Sequence, residues 1–171
     1  MAYVEPLDKL SAPNAAHDLL NAIEEKYGKV LNIFGTLAYQ PDVLRGVVSI
    51  NEGLQNNLPA RLRELAYFKA SQVNNCEYCS HYHSKAALNA GLTTEQLRAS
   101  ADFADSDQFS EAEKSVLQYT EELTAKGNVS AETVAAVKEH IGDTELVTLA
   151  ATVAMANFTN RFNHGLGIAL P

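Results

Sequence analysis

Residues 64–83 read ELAYFKASQVNNCEYCSHYH. The stretch contains the chain's only two cysteines, Cys76 and Cys79, with His83 four residues beyond the second and Glu64 twelve before the first. At about 100° per residue, Cys79 lies about 60° around a helix from Cys76, and His83 about 40° from Cys79, so all three share one side. An attacking thiolate, a resolving thiol and a base within one arc form the minimum set for dithiol redox chemistry. Glu64 can serve as the group behind the base only if the chain turns back. On one unbroken helix it would stand about 18 Å from Cys76, at ~1.5 Å per residue. The Asn74–Asn75 pair is where the helix is expected to break, so that the Glu64 helix packs beside the cysteine helix.

Outward from this stretch the pattern is all-α. Val, Ile and Thr form no alternating strands, and turn signals recur at helix lengths. A first helix is expected over Ala15–Tyr27, stopping at Gly28, and Pro41 suits the first position of a helix towards Leu54. Pro59 opens another over Arg61–Val73, and the cysteine helix ends near Gly91. Thr93 with Gln96, and Ser110 with Glu113, are capping-box signatures. The Ser110 helix carries Ala112, Val116, Tyr119 and Leu123 as its apolar stripe, and its acidic run Glu111–Glu122 reads as a solvated face. Val134, Val137 and Ile141 mark a shorter helix. Asp143 suits the cap of a last one, in which Leu146, Leu149, Ala150, Val153 and Ala154 repeat with helical period.

A weak internal duplication of a helical unit accompanies this pattern. At an offset of 81 positions Glu64 falls on Glu145, Cys76 on Asn157, Cys79 on Asn160 and His83 on His164. The second copy lacks sulfur and reads as scaffold, with Asn157, Asn160 and Arg161 bonding helix ends or lining a subunit contact. The expected organisation is a single domain over 1–171: an N-terminal helical extension (about 1–58), a CxxC-bearing core (about 59–103) and a second half-repeat (about 110–171).

A net charge of −8 disfavours nucleic-acid backbones and anionic membrane surfaces as partners. No apolar run is long enough to span a bilayer. MAYVEPLDKL has neither the basic start nor the apolar stretch of a signal peptide, so the expected location is cytoplasmic, where a CxxC is catalytic or metal-binding rather than structural. Neither a cofactor nor a metal is expected. The readings set beside dithiol catalysis are a zinc site using Cys76, Cys79 and His83 with Glu64 or His81, and a pair of inert buried thiols. His81, about 140° from Cys76, reads as surface or interface, Tyr78 as a pocket wall or oligomer contact, and His164 as structural. For Glu64 the plain alternative is a solvent salt bridge to Arg61.

The pattern Glu-x11-Cys-x-x-Cys-x3-His resembles the active site of AhpD-like alkylhydroperoxidases of the carboxymuconolactone decarboxylase superfamily. The resemblance extends to FSEAEKSVLQYTEELT (109–124), ANFTNRFNHGLG (156–167), GKVLNIF (28–34) and QPDVL (40–44), and so covers most of the chain. It implies an AhpD-like helical fold, a homo-oligomer such as a trimer or hexamer, and thiol-dependent reduction of a peroxide substrate. By position Cys79 is the peroxidatic cysteine, Cys76 the resolving one, and His83 and Glu64 the proton relay. A lipoyl-type or thioredoxin-type dithiol is the implied electron donor. Tyr78 departs from the best-studied members, which carry a histidine there. The rival readings are a decarboxylase-like acid–base enzyme and a non-enzymatic redox-sensing or metal-binding oligomer.

Overall fold

The computed structural model describes residues 2–170, and among them there is helix but no strand. The helices are α1 (His17–Tyr27), α2 (Asn32–Leu37), α3 (Pro41–Gly53), α4 (Ala60–Val73), α5 (Glu77–Asn89), α6 (Thr94–Ala99), α7 (Glu111–Lys126), α8 (Ala131–Lys138) and α9 (Asp143–Leu166). They form two compact units, one of residues 1–53 with 162–171 and the other of 54–161.

In the first unit α1 ends at Gly28, whose φ of 75° suits a residue without Cβ and whose N–H bonds Glu24 O. The preceding turn, Asn14–Ala16, is 3-10 rather than α. Pro41 opens α3 as expected. The short α2 has no counterpart in the sequence reading. Gly35 within it lets the N-terminal segment pass closely: Leu7 N–H bonds Gly35 O at 3.1 Å, and a Cβ on Gly35 would meet Leu7 O at 2.6 Å. Tyr3 N–H to Leu166 O, and Asn32 Nδ2 to Ala169 O, both at 2.9 Å, tie the two chain segments of this unit together.

The second unit is built around α4, buried continuously from Leu65 to Ser71. One of its faces joins Leu58, Val116, Tyr119, Val137, Ile141, Leu149 and Val153 around Ala66. Another joins Ala87, Leu92, Leu97, Phe103, Phe109 and Leu117 around Leu65 and Phe68. Fully burying a side chain such as Leu65 contributes about 1.5–3 kcal/mol. Both capping boxes form, at Thr93 with Gln96 and at Ser110 with Glu113.

Three expectations need correction. The Glu111–Glu122 run is not a solvated face, since Glu113 and Glu122 are buried. Glu113 closes its capping box and accepts from Arg61 at 2.7 Å. Glu122 accepts the Ser130 N–H at 3.0 Å, and that bond, with help from Lys126, holds its carboxyl down at about 2. Asp143 is the first residue of α9 rather than its cap. Gly142 O accepts the Leu146 N–H, Glu145 reaches back to the Gly142 N–H at 2.9 Å, and Asp143 pairs with Lys138 at 2.8 Å. Finally, α8 stops at Lys138, and Ile141 is buried beyond its end.

Candidate active site

The site is made where α4 hands over to α5. Asn74 N–H bonds Ala70 O at 3.0 Å, Asn75 N–H bonds Gln72 O at 2.9 Å, and Cys76 N–H bonds Ser71 O at 2.8 Å. These last two bonds are those of a Schellman ending, with Asn75 supplying the left-handed residue at φ 54°. Asn accepts that conformation more readily than most residues. Cys76 then has extended dihedrals and is at once the end of the Schellman turn and the N-cap of α5, its C=O accepting the Ser80 N–H at 2.9 Å. Cys79 is the third residue of α5. Both thiols therefore stand at the positive end of a helix, a position that favours a thiolate. They are 1% and 4% exposed and are not joined in a disulfide.

The bend at Asn74–Asn75, required by the sequence, is held from α9. Asn74 Nδ2 donates to Asn157 Oδ1 at 3.0 Å and to Asn160 Oδ1 at 2.8 Å. Asn160 Nδ2 donates to Ser71 Oγ at 3.2 Å, and Arg161 also bonds Asn157. The asparagines standing at the offset positions of the cysteines thus bond the C-terminal end of α4, one of the two roles expected of them. The backbone frames differ, however. The first contains α4, the bend and α5, whereas the second lies in the uninterrupted α9. His164 is exposed near the end of that helix.

With the chain bent, Glu64 and His83 meet. His83 Nδ1 lies 3.0 Å from Glu64 Oε2, and Arg63 Nε donates to the other carboxylate oxygen at 3.3 Å. Arg61 instead bonds Glu113, Gln96 and Gly91 O. Burial opposes ionisation of Glu64, but the hydrogen bond and charge of His83, together with Arg63, outweigh it and leave the carboxyl below its usual range. An ionised carboxylate only accepts, so Nδ1 carries the proton and Nε2 is the basic nitrogen. His83 lies one helical turn from Cys79, the spacing at which side chains on a helix are neighbours.

Tyr67 is the residue that sequence reasoning missed. Its ring stacks on His83 with centroids 3.5 Å apart and planes at 12°, and its hydroxyl is 2.7 Å from Thr159 Oγ1 on α9. Burial, with the nearby Cys79, Glu64 and Cys76, pushes its phenol far above the ordinary range despite the Thr159 hydrogen bond, so it stays neutral. The available signal was its place three residues after Glu64, on the same face of α4. Tyr78 is buried within the chain, its ring 5.0 Å from that of Tyr82. His81 is exposed, its Nε2 3.0 Å from Lys85 Nζ. Among the described residues no three His, Cys, Asp or Glu side chains are grouped to hold a metal ion.

Residues 41–122 match the model of the carboxymuconolactone decarboxylase family. Over that segment, just under half of its length, the chain is similar to the carboxymuconolactone decarboxylase family. Its fold is AhpD-like. The AhpD-core, peroxidase-related protein of Ralstonia eutropha JMP134 superposes with a TM-score of 0.84 at 21% identity, over 99% of this chain and 92% of that one. Debrominase Bmp8, in a complex with 2,3,4-tribromopyrrole, superposes with a TM-score of 0.85 at 20% identity, over 98% and 91% of the two chains. The uncharacterized protein YdfG of Bacillus subtilis strain 168 is 27% identical over 115 residues, covering 66% of this chain and 78% of YdfG.

Proposed function

We propose that the chain is a dithiol-dependent reductase of hydroperoxides. The observation that carries this reading is the His83–Glu64 hydrogen bond across the α4–α5 bend, which presents a base of fixed tautomer one turn from Cys79. His83 Nε2 takes the Cys79 proton, and the thiolate attacks the terminal, hydroxyl oxygen of the hydroperoxide. The O–O bond breaks, the proton passes to the departing alkoxide to give the alcohol, and Cys79 is left as a sulfenic acid. Cys76 then attacks that sulfur, forming the disulfide and releasing water. An external dithiol, of lipoyl or thioredoxin type by family likeness, returns both cysteines to thiols and is itself oxidised to a disulfide. The same likeness supports a homo-oligomer.

Cysteine accounting before and after stoichiometric peroxide tests the proposal. Mass spectrometry is expected to find the loss of two hydrogens and a Cys76–Cys79 crosslink, and Cys79→Ser is expected to abolish peroxide consumption. Peroxide consumption retained in that variant would overturn the assignment of the attacking sulfur.

A second reading, decarboxylase-like acid–base catalysis by His83 and Glu64, is favoured by one contrast. The His83 side chain is 26% exposed, while both sulfurs are nearly inaccessible. On that reading Cys79→Ser leaves turnover of a lactone substrate largely intact.

A further inference from the structure

We infer that Tyr67 is a positioning residue that fixes the plane of the His83 imidazole and favours its protonated form. The inference rests on the reading that His83 serves the Cys79 thiol. A single hydrogen bond at Nδ1 sets the distance from His83 to Glu64, but the ring can still swing about that contact. The face-on stack at 3.5 Å and 12° removes this freedom. Tyr67 can act as a fixed wall because it is itself held at its far end. It is buried, and its hydroxyl meets Thr159 Oγ1, which also bonds Met155 O and Ala156 O of α9. Three helices therefore set one ring: α4 supplies Glu64 and Tyr67, α5 supplies His83, and α9 anchors the tyrosine.

The ring does more than pack. An aromatic face attracts a cation, so the stack favours imidazolium, which is the form His83 takes once it holds the thiol proton. The hydroxyl is engaged by Thr159, and it is the ring face that meets His83, so Tyr67 takes no part in proton transfer itself. The charged and titratable groups about this ring include Glu64 and Arg63 from α4 and Cys76 and Cys79 from the bend and α5, while the α9 contact, Thr159, is uncharged.

The test is the pH profile of Cys79 alkylation by iodoacetamide, read by mass spectrometry from about pH 5 to about pH 9. Removing the ring with Tyr67→Leu is expected to move the acid limb up by about half a unit to one unit, with a roughly three- to tenfold lower rate on that limb. Tyr67→Phe, which keeps the ring, is expected to restore the profile. In a His83→Ala background, Tyr67→Leu is expected to shift nothing further, whereas a merely structural tyrosine would shift both backgrounds alike. Circular dichroism establishes folding, and Tyr67→Met carries the same comparison if the leucine variant unfolds. A Tyr67→Leu profile that coincides with wild type, or a shift that persists without His83, would overturn the inference. Alkylation needs no peroxide. A chain that consumes no peroxide but shows the expected profiles refutes the peroxidase reading and supports the role of Tyr67.

Discussion

Replacing Glu64 by glutamine keeps the shape of the side chain and removes one negative charge from a site where the carboxylate is 12% exposed. The wild-type carboxylate accepts from His83 at 3.0 Å and Arg63 at 3.3 Å. Hydrogen bonds to a charged group contribute about 1.5–3 kcal/mol against about 0.5–1.5 for neutral ones, so Glu64→Gln is expected to cost about 1–2 kcal/mol at neutral pH. The partial exposure of His83 keeps the figure near the lower end. Because Glu64 ionises below its ordinary value of 4.5 when folded, its contribution is present above that value and is lost as pH falls through the lower folded one. The stability difference between wild type and variant should therefore be full at about pH 7 and should shrink as pH drops below the ordinary carboxylate range. Urea unfolding followed by circular dichroism reads this as a midpoint shift of roughly 0.5–1 M at neutral pH. The amide can donate as well as accept, so the His83 tautomer is no longer fixed, and Cys79 alkylation should slow by about 10- to 100-fold. A stability difference independent of pH, together with an alkylation rate within about twofold of wild type, would refute the assignment of Glu64 as the charged partner of His83.

Asn160→Ala removes a fully buried amide bonded to both Asn74 and Ser71, and is expected to cost about 2–4 kcal/mol in urea unfolding and to speed hydrogen exchange at the Asn74–Cys76 amides. Asn75→Ala should cost about 1 kcal/mol, because Cβ without a compensating polar side chain is poorly accommodated at φ 54°, whereas Asn75→Gly should lie within about 0.5 kcal/mol of wild type in the same assay. Gly35→Ala should destabilise the first unit by about 1–3 kcal/mol, because the added Cβ would press on Leu7 O at 2.6 Å and Pro6 Cβ at 3.0 Å; a local rise in hydrogen exchange at Leu7 checks it.

The parts of this molecule legible in its sequence are those decided within a few residues. Thr93 with Gln96 and Ser110 with Glu113 formed caps because both partners lie on the same turn. Gly28 ended α1 because the left-handed position needs no distant help. What escaped was decided by distant neighbours. Glu113 looked like a surface charge until Arg61, 52 residues away, came to meet it, and buried Lys69 finds its partners in Ser100 O and Glu121. Tyr67 went unremarked in the sequence, since its role depends on α5 folding across it and on Thr159, 92 residues on. The bend lay between these cases. Asn74–Asn75 marked where the helix could stop, but an asparagine pair only permits a turn. The turn places Glu64 against His83 because Asn74 donates to two oxygens of α9. Those oxygens belong to Asn157 and Asn160, at the positions offset from the two cysteines. One frame carries the sulfur and the base, and the other, kept straight and without thiols, supplies the amides that hold the first in its bent form. An amide at each of those positions makes hydrogen bonds that a thiol would make only weakly.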